Sequence, residues 1–441
     1  MNKFIRLFAF LAAFLLVLVL ANTFLIQMDS VTAITMHDMK ARSDIELAVV
    51  GSSIAQYHFN PEIVTEQTGL KTFSVSFNNI SLQGAIAVTR ELLLTNSPQW
   101  IVLTLDHYNL HTVKEDANAE YRVMPHLTSL RTKIDYYLST CREDGAYIDR
   151  LFLFREFGVA SLADVAKNIA LRYAPETVFS RIEQTLPPGL SYMGDGYLRS
   201  MADTTPEVAV RTQAIGYKTP GYDYSLFAAT KRMLLEYRAL CESSGANLMI
   251  VVPPNLTANM LYQAEALPYT ESLMRFCEEN DIPCFNFAYA KPELLERLDP
   301  YFFDLYHFNG EGSDLFSQAF TRVFNLYLAG EETDSLFYAD ADAYLETIDF
   351  ITNVWLKPGE EPNSFVADCN RGPQVVPEYA FAMIDGDGVR TMLRDYGDDP
   401  AFSFDLPKGC ELRVLARKKG EAGDDAIYFD YPSDYDVFLG K

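Results

Sequence analysis

Three strand-like stretches, the apolar runs 45–50 and 100–105 and between them the alternating residues 71–77, separated by helix-like segments, constrain this chain more than any other feature. The third, Trp100-Ile101-Val102-Leu103-Thr104-Leu105, is almost continuously apolar, the mark of a strand covered on both faces. Such a strand needs helices above and below it. Residues 59–68 carry Pro61 in a first helical turn and are closed by Gly69, while residues 85–95 turn Leu92, Leu93 and Leu94 toward a core face. Strand, helix, strand, helix, strand predicts a parallel, doubly wound α/β sheet.

The rhythm breaks after the third run. Residues 127–139, 147–157 and 161–172 are amphipathic and helix-like, and 186–222 is marked by Pro and Gly, so 111–222 reads as a helical insertion, a class of segment that often covers a site. The sheet pattern resumes with a helix at 224–243, the run Asn247-Leu248-Met249-Ile250-Val251-Val252, a helix at 271–280, a short strand at 284–287 and a last helix through 316–327. Beyond Gly330, short aromatic-rich runs at 411–417 and 426–431 between Gly, Pro and Asp turns predict a small β-rich domain over 331–441.

Residues 7–27 are an apolar run of bilayer-spanning length, preceded by Lys3 and Arg6, which predicts a cytoplasmic amino terminus and an extracytoplasmic remainder. Val19-Leu20-Ala21 also fits a signal-peptide cleavage site. The run continues through Phe24, Leu25 and Ile26, which favours a retained anchor over residues 1–28, followed by a polar connector over 29–43. A formal net charge of −24 argues against a nucleic-acid or anionic-lipid surface for the chain as a whole. The six cysteines are permitted to pair outside the cell; Cys277 with Cys284 and Cys369 with Cys410 are the pairings their positions allow, with free buried thiols as the alternative.

Asp304 and His307 stand three residues apart, a spacing that on a helical turn lets an acid orient an imidazole. A nucleophile to complete a triad is offered at Gly51-Ser52-Ser53, where the first strand run ends at the carboxyl edge of the sheet. Each signal has a structural alternative: serines at strand ends cap helices, and an Asp before a helix meets its dipole. Asp106, His107 and His111 imitate a metal cluster, but spacing sets no geometry, and neither metal nor cofactor is needed for the expected chemistry. His58 and His126 read as structural, and the stripe Leu151, Phe152, Phe154 and Phe157 as core or lid packing.

The order of these features, a Ser after the first strand, an Asn/Gly loop after the second, a polar cluster after the third and Asp-x-x-His before the last helix, resembles the SGNH (GDSL-like) hydrolase superfamily. The resemblance covers roughly 45–110 and 223–328, and points to its membrane-anchored branch linked to acylation of cell-surface polysaccharides or teichoic acids. It implies a flavodoxin-like three-layer fold, with Ser53 as nucleophile and Asp304 and His307 completing the triad. Asn78, Ser81 and Gly84 in Asn78-Asn79-Ile80-Ser81-Leu82-Gln83-Gly84, and Asn109 in Leu105-Asp106-His107-Tyr108-Asn109, would supply oxyanion and substrate contacts. Where many members carry Gly-x-Asn-Asp in the third block, this chain departs. The implied activity is a serine esterase or O-acyltransferase on an envelope glycan, in residues 29–330, with a membrane-bound O-acyltransferase as the implied partner. The competing reading is a degenerate module that binds polysaccharide or scaffolds that partner.

Overall fold

The computed structural model describes residues 2–28, 30–106, 109–110, 122–155, 158–174, 186–202, 223–262, 266–361, 363–421 and 427–432. Helix α1 (Asn2–Phe24) is long and apolar enough to cross a membrane, a test that a signal sequence also passes. Where the sequence predicts a polar connector, the chain instead forms helix α2 (Ser30–Ala41), which buries Ile34, Met36 and Met39. The polar residues of 29–43 hid an apolar face, and the segment after α1 is therefore a packed helix rather than a connector.

The main sheet is built from β1 (Leu47–Gly51), β2 (Thr72–Ser76), β3 (Trp100–Thr104), β6 (Asn247–Val252) and β7 (Cys284–Asn286), in the order β2-β1-β3-β6-β7. Every pairing is parallel. Renumbered along the sheet this is the 2-1-3-4-5 order of flavodoxin-like folds, whose switch point lies at the carboxyl ends of β1 and β3.

Alternation within the strands assigns the two faces. Leu47, Val49, Val102, Met249 and Val251 pack with α3 (Ser53–His58), α4 (Pro61–Thr68) and α11 (Gly310–Leu328), the last through Phe316, Phe320 and Phe324. Ala48, Val50, Ile101, Leu103 and Ile250 pack on the other side. There they meet α5 (Leu82–Leu92), α8 (Ala228–Ser244) and α10 (Ala266–Glu279). The result is the three-layer α/β architecture that the apolar β3 run requires.

The described part of the insertion gives the main sheet no strand, and it is not wholly helical. It holds α6 (Leu130–Asp144), a 3-10 segment Asp149–Arg155 kinked at Phe152, α7 (Leu162–Tyr173), and a hairpin of β4 (Leu190–Tyr192) and β5 (Leu198–Ser200). Strands of three residues are too short to show a period of two, so the sequence pattern misses them. At the hairpin turn the Asp195 carbonyl accepts from the Ser74 N–H at 2.8 Å, covering the outer edge of β2. Gly196 (φ 78°) makes that approach possible, because a Cβ there would stand 1.8 Å from the Ser74 carbonyl oxygen.

The carboxyl-terminal part is a small antiparallel β unit. One sheet joins β8 (Ile351–Pro358), β9 (Ser364–Arg371) and β12 (Ala401–Ser403); the other joins β10 (Pro377–Ile384), β11 (Arg390–Gly397), β13 (Glu411–Lys418) and β14 (Ile427–Pro432). Val354, Phe365, Phe381, Leu412 and Val414 fill the space between them. All six cysteines are free, so neither allowed pairing is made. Cys277 and Cys284 share a hydrogen bond that, with burial, pushes the Cys284 thiol up.

Candidate active site

The site grows from the carboxyl end of β1. Gly51 is required there by close packing, since a Cβ would stand 1.8 Å from Thr104 Oγ1 on the neighbouring strand. The two serines divide their tasks. Ser52 is the N-cap of α3, its Oγ accepting from the Ile54 N–H at 3.3 Å. Ser53 is the first helical residue, half-buried, with a backbone N–H that has no intrahelical acceptor.

The Ser53 Oγ lies 2.8 Å from His307 Nε2. On the other side of the ring, Nδ1 is 2.8 Å from Asp304 Oδ2 and 3.0 Å from Oδ1. The expected helical turn at Asp304-x-x-His307 is not what brings these two together. They sit in a loop closed by an antiparallel bridge between Phe302 and Phe308, and α11 begins only after its N-cap Asn309. Asp304 Oδ1 accepts from the backbone N–H groups of Tyr306 and His307, both at 2.8 Å, so one carboxylate folds the loop and fixes the ring. Burial pushes the Asp304 carboxyl up, but the hydrogen bond and charge of His307 together with those two N–H groups outweigh it and hold the carboxyl below its ordinary value. An ionised Asp304 can only accept, so Nδ1 carries the ring proton and Nε2 presents a lone pair to the Ser53 hydroxyl.

The second and third loops reach the same edge of the sheet. The Phe77 N–H donates to the Gly51 carbonyl at 3.1 Å, which places Asn78 one residue beyond the end of the strand that leads to Ser53. Among the described residues Asn78 Oδ1 is buried without a hydrogen-bond partner, while its carbonyl accepts from Arg122 at 3.3 Å. Ser81 is the N-cap of α5 and accepts from the Gly84 N–H at 3.1 Å. Gly84 is therefore corrected as an oxyanion donor: its N–H is spent on the helix cap, and its missing side chain makes room for Ile80, 2.6 Å from where a Cβ would be. Asn109 ties loops together, exchanging hydrogen bonds with Asp106 and donating from Nδ2 to the Ile80 carbonyl at 3.2 Å. His107, Tyr108 and His111 lie outside the described residues, as does Phe157 of the insertion stripe.

Several neighbours of the site escape a reading of the sequence. Tyr57, one turn after Ser53 on α3, brings its ring centroid to 4.9 Å from that of His307, and Phe303 stacks at 5.9 Å. For Tyr57 the i, i+4 spacing to Ser53 on a helix was the available signal; Phe303 lies in a loop and gave none. His58 is fully buried, stacked on Phe308 at 3.9 Å, and donates from Nε2 to the Tyr306 carbonyl at 3.1 Å. Burial, then the neighbouring His307, hold its imidazole well below the ordinary value. His126 is also buried, its carbonyl bonded by Lys40, and its ring is pushed down to about 3 by burial and by the Lys40 charge. From the inserted hairpin, Arg199 grips Asp314 of α11 with both nitrogens at 2.9 Å, and Asn60 donates to the same carboxylate at 2.8 Å.

Fold and site together define a flavodoxin-like α/β protein carrying a hydrogen-bonded Ser–His–Asp chain at its topological switch point. The sequence matches no family profile and no curated protein. Its neighbours among solved structures are GDSL-like acylhydrolases. A GDSL-like lipase from Bacteroides thetaiotaomicron VPI-5482 is 11% identical, with a TM-score of 0.31 over 68% of this chain and 100% of the other. A protein of Bacteroides fragilis NCTC 9343 assigned as an acylhydrolase is 10% identical, with a TM-score of 0.31 over 66% and 94%. A G-D-S-L family protein of Desulfitobacterium hafniense DCB-2 assigned as lipolytic is 9% identical, with a TM-score of 0.30 over 63% and 98%. Likeness at this level assigns no activity to this chain.

Proposed function

We propose that the chain is a membrane-anchored serine esterase or O-acyltransferase acting on an extracytoplasmic envelope glycan. The observation that carries this reading is the continuous chain from Ser53 Oγ through His307 to Asp304, with both links at 2.8 Å. His307 Nε2 takes the hydroxyl proton as Ser53 Oγ bonds to the acyl carbon, and then delivers it to the departing alkoxide. Asp304 stabilises the imidazolium formed in between. The Ser53 N–H at the start of α3, with the Asn78 loop beside it, receives the developing oxyanion, each donor contributing on the order of 3 kcal/mol. The acyl group then passes from Ser53 Oγ to water or to a sugar hydroxyl, His307 removing the acceptor's proton and returning it to Ser53 Oγ as the ester bond breaks.

The glycan part of the reading is supported by aromatic rings around the base. The half-buried Phe303 and the exposed Tyr306 flank His307, with the buried Tyr57 behind the ring, and offer flat apolar faces to the C–H faces of a sugar. The extracytoplasmic part is supported by Lys3 and Arg6 ahead of the apolar helix.

Mass spectrometry of the purified full chain after incubation with an activated acetyl ester tests the chemistry. One acetyl group on the peptide containing Ser53, absent in Ser53→Ala along with ester turnover, is the expected result. Undiminished turnover by Ser53→Ala would refute it. Adding oligosaccharide acceptors then separates transfer from hydrolysis.

A further inference from the structure

Helix α7 is turned inside out. Its inward side buries one apolar residue, Leu171 against Met28 and Ala33, and is otherwise polar: Asn168 Nδ2 donates to the carbonyls of Phe24 (3.2 Å) and Ile26, Asn168 Oδ1 accepts from the Met28 N–H at 3.1 Å, and Arg172 donates to the Thr23 carbonyl at 3.3 Å. These carbonyls lie at the carboxyl end of α1, where a helix leaves its acceptors unsatisfied and its dipole negative. The outward side is apolar. Leu162, Ala166, Ile169 and Tyr173 follow one another at i, i+4, i+7 and i+11 and form a single stripe, with Leu162 87%, Ile169 43% and Tyr173 67% exposed. For a helix facing water this is the reverse of the stable arrangement.

The same part of the insertion runs down the side of the anchor. Asn22 donates to the Leu151 carbonyl at 2.9 Å, and the Val159 N–H donates to the Leu25 carbonyl at 2.7 Å. The Phe152 ring lies 6.4 Å from that of Phe14, and Leu18 between these levels is 7% exposed. Phe14 precedes the end of α1 by ten residues, about 15 Å of helix at the standard rise. Packing at that level is below the surface of any bilayer that α1 spans. Next to it Ile148 is 72% exposed. The charge of the segment agrees: residues 146–174 hold four basic residues (Arg150, Arg155, Lys167, Arg172) and three acidic ones (Asp149, Glu156, Asp164), in a chain of net charge −24.

We propose that α7 and Ile148 form a monotopic patch seated in the outer leaflet beside α1, with the Leu162, Ala166, Ile169 and Tyr173 stripe in contact with lipid acyl chains. The proposal rests on α1 being a retained anchor. Its consequence is orientation. Anchor, α2 and patch hold the α/β body at a fixed height and tilt over the membrane, because α2 packs into the body's core through Met36 and Met39.

The full chain in nanodiscs of phosphatidylcholine and phosphatidylglycerol carrying a photoreactive acyl chain tests this, with adducts mapped by peptide mass spectrometry. Adducts are expected on peptides from both α1 and α7. In the Leu162→Asp/Ile169→Asp double variant, those on α7 should fall about tenfold while those on α1 persist. Labelled α1 with bare α7 overturns the proposal while leaving the anchor standing, and assigns the stripe to a partner helix instead. Undiminished α7 labelling in the double variant overturns it too. No adducts on either segment overturn the anchor reading and the patch together.

Discussion

His58 donates its Nε2–H to the carbonyl of Tyr306, 248 residues away, and so joins the helix that starts at Ser53 to the loop that carries His307. The buried ring stacks on Phe308, and its Nδ1 has no hydrogen-bond partner among the described residues. Its role is to position. His58→Phe keeps the stacked ring and removes the donor, a loss of one hydrogen bond worth about 0.5–1.5 kcal/mol. The expected result is a folded protein with a lower melting temperature and a kcat reduced about tenfold or more. Unchanged melting and turnover would rule out this positioning role.

The two buried histidines predict acid sensitivity as pH falls below the ordinary imidazole value. Both have folded values depressed below the ordinary 6.5, His126 to about 3, so the unfolded chain takes up their protons first. Stability they leave intact above pH 6.5 is lost as pH falls toward the folded values, at up to about 1.4 kcal/mol per pH unit for each ring. The Asp304 contribution, from a carboxyl held below 3.8, disappears only at lower pH still. Denaturant unfolding of the detergent-solubilised chain at pH 7 and pH 5 should show the loss, and His126→Gln should reduce the proton uptake on unfolding by about one. A pH-independent stability between these values would contradict the burial of both rings.

The parts of this molecule that follow a local period were legible in the sequence, and the parts that depend on distant partners were not. The β1 and β3 runs announce themselves because strands buried on both faces are almost continuously apolar, and β2 by alternation, with Phe73 and Val75 set between the buried Thr72, Ser74 and Ser76. Asp304-x-x-His307 was legible as a pair, but its geometry was misread, since the i, i+3 rule suggests a helical turn and the chain uses a loop closed by the acid's own hydrogen bonds. Gly84 looked like an oxyanion donor because nothing local reveals that Ser81 Oγ occupies its N–H. Helix α2 looked like a connector because its polar residues dominate, although six of its twelve positions are buried.

The grip of Arg199 on Asp314 spans 115 residues and has no sequence signature at all. It lets the inserted hairpin hold the amino-terminal end of α11, immediately after the His307 loop. Arg199 and Asp314 are each about a quarter exposed, so Arg199→Ala should lower stability by no more than about 1 kcal/mol. Turnover should fall further than that figure suggests, because α11 anchors the loop that presents His307. Lysine cannot reproduce a two-pronged contact, so Arg199→Lys should rescue little. Comparing kcat with the melting temperature in both variants decides the matter: proportionate small losses would mean that the clamp serves stability alone.

Asp304 offers the sharpest separation of folding from chemistry, because its two oxygens do different work. Oδ1 closes the loop by accepting from the Tyr306 and His307 N–H groups, and Oδ2 makes the shorter contact to His307 Nδ1. Asparagine retains the carbonyl oxygen that closes the loop but presents an NH2 group to the ring. Nδ1 must then accept, the proton moves to Nε2, and the ring can no longer receive the Ser53 hydroxyl proton. Asp304→Asn is therefore expected to melt close to the unaltered chain while ester turnover falls about 10⁴-fold. Asp304→Ala removes both functions and should lose stability as well, by about 1–3 kcal/mol for the freed N–H groups. Calorimetry and burst-phase acylation of the two variants side by side provide the measurement; equal activity in Asp304→Asn and the unaltered chain would show that the ring is oriented by something other than this carboxylate.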